Sequence, residues 1–150
     1  MARAMSRVWL PAVTVLLVSA CGGVTSVDDN QAVVCEKLAA VEGPMGQAVA
    51  LASPDVPIST GREGAQLALA KADIAAGAMT APQQQLVDRF TRALTDYDEA
   101  MAAIPEGSLF GPYDTGLDSY KANVLVTYGT MLRTIGCPLP ALYQNFPRSA

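Results

Sequence analysis

After residue 27, apolar residues recur at spacings of three and four along most of the chain, which predicts four amphipathic helices. The first starts near Asp28 and carries Val34, Leu38, Val41, Met45, Ala48 and Ala52 on one stripe. Asp28 and Gln31, three residues apart, fit a variant of the capping box. Gly43-Pro44 interrupts this stripe. An interior proline removes one ladder bond and costs about 3 kcal/mol, so a kink or two shorter helices are expected there. Ser53-Pro54 through Ser59 reads as a linker.

The second helix opens with the capping box Thr60-Gly61-Arg62-Glu63, runs through Leu67, Ala70, Ile74 and Ala78, and fades near Gly77. Its apolar face is mostly alanine, which predicts close packing with little burial per residue. The third opens with Thr80-Ala81-Pro82-Gln83, where a first-turn proline is tolerated because its missing N–H has no helical partner anyway. Leu86, Phe90, Leu94, Tyr97, Met101 and Ile104 form the most regular stripe in the chain, and Ile104-Pro105-Glu106-Gly107 stops it. A Gly- and Pro-rich loop from Glu106 to Asp114 follows and holds Phe110 and Tyr113. The fourth helix takes Thr115 as its cap and carries Leu117, Tyr120, Val124, Tyr128, Met131 and Ile135. Gly136, Cys137 and Pro138 end it, as a C′ glycine followed by proline does. Leu142, Tyr143 and Phe146 in the tail allow one further turn. No strand-like alternation and no internal repeat is present.

This pattern implies an all-α fold, an antiparallel four-helix bundle. In an up-down-up-down bundle the first helix begins where the last one ends. Cys35 and Cys137 then fall at the same end, so the topology and a Cys35–Cys137 disulfide tying the helix ends support each other.

Ahead of the helices, Arg3 and Arg7 precede an uncharged apolar run from Val8 to Ala20, which ends in Val18-Ser19-Ala20-Cys21. Thirteen residues are too few to span a bilayer, which needs roughly 20, but they suit the core of a secretory signal peptide. The segment resembles the signal peptide and lipobox of bacterial lipoproteins. That resemblance implies cleavage after Ala20, acylation of Cys21 by a diacylglycerol, and attachment to the outer face of the cytoplasmic membrane. Lipidation also accounts for the odd cysteine, since Cys35 and Cys137 then remain as a pair. The resulting organisation is a removed signal peptide over 1–20, a short tether over 21–27 and one helical domain over 28–150.

The mature chain has about 130 residues, an ordinary single-domain size. It loses Arg3 and Arg7, leaving eight basic residues against fourteen acidic ones, a net charge of about −6. This balance argues against a nucleic-acid surface and against electrostatic docking on anionic lipid. Abundant alanine, with arginine outnumbering lysine seven to three, resembles lipoproteins of high-G+C actinobacteria.

The chain contains no histidine, which removes His-based nucleophile systems and imidazole metal sites. Cys35 and Cys137 do not form a C-x-x-C redox motif. Asp114-Thr115-Gly116 matches the tripeptide of aspartic proteases, but those enzymes need two such carboxylates and this chain has one, at a helix start. Asp96, Asp98 and Glu99 cluster on the third helix, where Asp88, Arg92 and Asp96 read as a solvated charge ladder. Five tyrosines read as packing residues with hydroxyls reaching outward, or as polar anchors of a pocket between helices. No catalytic, cofactor or metal site is expected. The expected role is a membrane-anchored, non-catalytic binding domain that engages an envelope protein through the loop around Phe110 and Tyr113. The alternative is a carrier of a hydrophobic small molecule, a lipid or haem, held between helices.

Overall fold

The computed structural model describes residues 27–49, 54–140 and 143. Its frame is α1 (Val27–Val49), α2 (Ile58–Ala76), α3 (Ala81–Ala102) and α4 (Asp114–Ile135), with a 3₁₀ turn at Gly111–Tyr113 leading into α4. Among the described residues no strand forms. Each helix packs on the next, whereas α1 meets α4 only lightly. The result is an antiparallel four-helix bundle. The Cys35–Cys137 disulfide closes it, with the two Cα atoms 5.3 Å apart.

The segment α1 runs through Pro44 as one helix, so the proline does not divide it. Val41, Met45 and Ala48 are fully buried on either side, and this burial offsets the lost ladder bond. Gln31 does more than a cap residue would: its amide donates to the carbonyls of Ile135 and Gly136 at 3.1 and 3.3 Å, bracing the start of α1 against the end of α4.

In α2 the structure departs from the sequence expectation. The helix begins at Ile58, two residues before Thr60, with Pro57 at its cap and no side-chain cap bond. The loop after α3 takes over the capping role. Ile58 N–H donates to the Ser108 carbonyl at 2.9 Å, and Phe110 N–H donates back to Val56 at 3.0 Å. The buried face also differs. Gly61, Gly64, Ala65, Ala68, Ala72 and Ala75 point inward, whereas Leu67 and Ile74 are 49% and 62% exposed. Close approach decides this choice. A Cβ on Gly64 would stand 2.8 Å from the Pro44 carbonyl oxygen and 2.9 Å from the Ala48 nitrogen, both backbone atoms of α1. Only a face of small residues lets two helices pack at that separation.

Gly64→Val should therefore destabilise the domain by about 3 kcal/mol, the upper range for overpacking, because backbone cannot move aside cheaply. That loss lowers the melting temperature by roughly 10 °C. A Cβ on Gly116 of α4 would meet no heavy atom within 4 Å, so Gly116→Ala should raise the melting temperature instead. Thermal circular dichroism on the two variants distinguishes crowding from helix propensity; equal effects would refute the close-packing account.

The segment α3 follows expectation closely. Thr80 and Gln83 form the capping box, with the Thr80 N–H donating to Gln83 Oε1 at 3.0 Å. Phe90, Leu94, Tyr97 and Met101 are all fully buried. The last helix, α4, begins at Asp114 with Tyr113 rather than Thr115 as its cap. Tyr120 leaves the predicted stripe and is 39% exposed, while the Lys121 stem lies half-buried beside it and its ammonium pairs with Asp114 and Asp118. At the far end Gly136 adopts φ +86°, and the N–H groups of Cys137 and Gly136 close a Schellman motif onto Leu132 and Arg133. The same turn delivers Cys137 to Cys35.

Candidate functional site

Cys21, with the lipobox and the 21–26 part of the tether, lies outside the described residues. The expected contact loop is placed differently from its sequence reading. Phe110 is fully buried, its ring lying over Gly61 and Met101. Its neighbour Tyr113 is half-buried in the 3₁₀ turn. Backbone bonds from Phe110 to Val56 and from Gly111 to Pro54, both 3.0 Å, hold the loop against the entry to α2. The aromatic ring stabilises the fold from inside and offers no surface to a partner.

The buried tyrosines bind helix backbone. Tyr97 donates to the Ala48 carbonyl at 2.9 Å, linking α3 diagonally to α1. Tyr128 donates to Leu38 at 2.8 Å and Tyr143 to Leu125 at 2.9 Å. Phe90, Tyr128 and Tyr143 stack in sequence, with ring centroids 5.1 and 6.0 Å apart. Each hydroxyl proton is committed to a carbonyl, so none of the three is left to donate to a ligand. Tyr143 packs on Gly129, where a Cβ would stand 2.9 Å from the ring. The tail thus contributes to the core at this residue.

The acidic residues do not gather. Asp98 turns toward α2 and pairs with Arg62 at 3.1 Å. Asp88, Thr91, Arg92, Thr95 and Asp96 line a shallow depression on one face of α3, and no ion pair of 4.0 Å or less joins Asp88, Arg92 and Asp96. Among the described residues no group of three or more His, Cys, Asp or Glu side chains could hold a metal ion. A groove of about 310 Å³ beside the disulfide is lined by Glu36, Ala39, Glu42, Leu132 and Leu139, among others.

One surface feature was missed by sequence reasoning. With glycine and alanine turned inward, α2 exposes Leu67 and Ile74, and α1 exposes Val33 to 44%. Lys37 and Lys71 are half-buried on the same two helices and enter no ion pair with a described residue. Gly61 and Gly64, three apart inside a helix, were the available signal, since glycine there marks close backbone approach. Among the described residues no helix is long and apolar enough to cross a membrane. The chain matches no family model, no curated protein and no solved structure.

Proposed function

We propose that the protein is a cell-envelope lipoprotein, held by an acylated Cys21 on the outer face of the cytoplasmic membrane, whose helical domain serves binding rather than catalysis. The observation that carries this reading is the Cys35–Cys137 bridge. It uses two of the three cysteines, and the remaining one stands at the end of Val18-Ser19-Ala20-Cys21. A structural disulfide suits an oxidising compartment outside the cytoplasm. A diacylglycerol supplies two chains, enough for stable attachment. The absence of histidine and the dispersed carboxylates favour a binding role.

Intact mass spectrometry of protein purified from its own membranes tests both modifications at once, as added acyl mass and as the hydrogens lost on bridging. Cys21→Ser should shift most of the protein from the membrane pellet to the medium. If the variant stays with the envelope, the anchor assignment is wrong.

A further inference from the structure

The side of α1 that meets α4 is only partly filled. The groove of about 310 Å³ beside the disulfide has Cys35, Ala39 and Glu42 of α1 along one wall and Tyr128 and Leu132 of α4 along another. At about 100° per residue, Cys35, Gly43 and Gly46 fall within roughly 40° of Ala39, on one face of α1. A Cβ on Gly43 or Gly46 would meet no heavy atom of the described residues within 4 Å, so this face continues open beyond the groove.

The chain's own tail already builds the third wall. Leu139 and Pro140 line the groove, and Leu139 packs on the core. Tyr143 is buried on Gly129 beside Tyr128, with its hydroxyl on the Leu125 carbonyl. Leu139, Tyr143 and Phe146 are spaced by four and three, the interval of one helix face, and the first two turn inward. Phe146 lies three residues past Tyr143, within a reach of at most about 10 Å. The α1 wall from Cys35 to Glu42 is itself about 10 Å long.

Charge points to the same segment. Glu36 and Glu42 stand on the α1 rim, and neither forms an ion pair of 4.0 Å or less with a described residue. After burial, the Glu42 carboxylate helps to raise the pKa of both Tyr128 and Tyr143, which sets it beside the point where the tail continues. Arg133 opposes it at Tyr143 but does not line the groove. Lys37 falls about 160° from Ala39, on the far side of α1. The next cation along the chain after Arg133 is Arg148, two residues past Phe146.

We propose that residues 144–148 of this chain occupy the groove, with the Phe146 ring against Ala39 and the Arg148 guanidinium paired with Glu42, and thereby cover the Cys35–Cys137 bridge. Cys35 is half-buried and both cysteines line the groove, so it is an approach to their sulfurs. Thiol–disulfide exchange needs a thiolate to reach a bridge sulfur, and a seated aromatic ring denies that access. The segment acts as a strap that keeps the bridge closed to reductant. This holds whether or not Cys21 is acylated.

Full-chain protein carrying p-benzoylphenylalanine in place of Phe146 is irradiated at low concentration and digested. Crosslinks within one molecule to residues 36–42 are expected. Crosslinks to a second copy, or none to α1, overturn the seat. Reduction of the bridge by dithiothreitol, followed by intact mass, reads the covering. Phe146→Ala should speed it roughly tenfold, since a buried phenylalanine holds the strap down. Arg148→Glu should speed it about threefold, and adding Glu42→Arg should return it to the parent rate. Gly64→Val, which disturbs the bundle away from the groove, should leave the rate unchanged while circular dichroism shows a folded domain. A parental rate in Phe146→Ala, or an equal rise in Gly64→Val, overturns the covering. Where the benzophenone proves too large for the groove, the charge exchange decides: no rescue by Glu42→Arg overturns the seat.

Discussion

Replacing both Cys35 and Cys137 by serine is expected to remove about 4 kcal/mol of folding stability. The bridge joins residues 102 apart in sequence. In the chain-entropy account, closing a loop of about 100 residues is worth roughly 4.7 kcal/mol, and measured values commonly fall below that. The location adds weight. Since α1 meets α4 only lightly, the disulfide, the Gln31 amide and the Tyr128 hydroxyl are the principal ties between them. A domain of ordinary stability has about 5–15 kcal/mol in total, so the loss is a large fraction. Urea denaturation of the double variant beside the oxidised parent measures it. A difference below about 1 kcal/mol would mean that helix packing alone closes the bundle.

Alkaline pH should produce the second large effect, a loss of close to 4 kcal/mol per pH unit above about pH 10. Burial raises the pKa of Tyr97, Tyr128 and Tyr143 far above the ordinary tyrosine value of 10.0. Nearby charge adds to this, from Asp114 at Tyr97 and from Glu42 at Tyr128. At Tyr143, Tyr128 and Glu42 push the same way and Arg133 opposes them. The folded protein therefore keeps three protons that the unfolded chain releases from about pH 10 upward. The stabilisation is complete below that pH and disappears as pH rises toward the folded values. Each retained proton contributes about 1.4 kcal/mol per pH unit. Denaturation midpoints between about pH 9 and pH 11.5, read with tyrosinate absorbance, give the slope. Tyr128→Phe should reduce it by about one third. A flat profile over this range would mean that the hydroxyls ionise without unfolding.

The regular parts of this fold were legible because large apolar residues chose the buried face. In α3, Phe90, Leu94, Tyr97 and Met101 leave a single inward direction. The Cys35–Cys137 pairing was legible for a different reason, since helix count alone brings those two ends together. In α2 the usual rule reversed. Hydrophobicity pointed to Leu67 and Ile74, but the buried face of α2 admits only small residues, with Gly64 against the α1 backbone and Gly61 under the Phe110 ring. A scale that ranks residues by transfer energy carries no information about interhelical distance. Phe110 illustrates the complementary error. An aromatic residue in a Gly- and Pro-rich loop looked available, and its burial depends on the space that Gly61 leaves on α2. Such a hole is a property of the assembled bundle. The exposure of Leu67 and Ile74 on α2 was hidden for the first of these reasons.

The sparse packing between the first and last helices has a mechanical consequence. Under the anchor proposed at Cys21, traction would enter at Val27 and peel α1 from the bundle turn by turn. Cys35 lies only eight residues further on, and there a covalent bond transfers the load to the end of α4. A pull through that anchor could thus unravel about two turns before it has to move the whole domain.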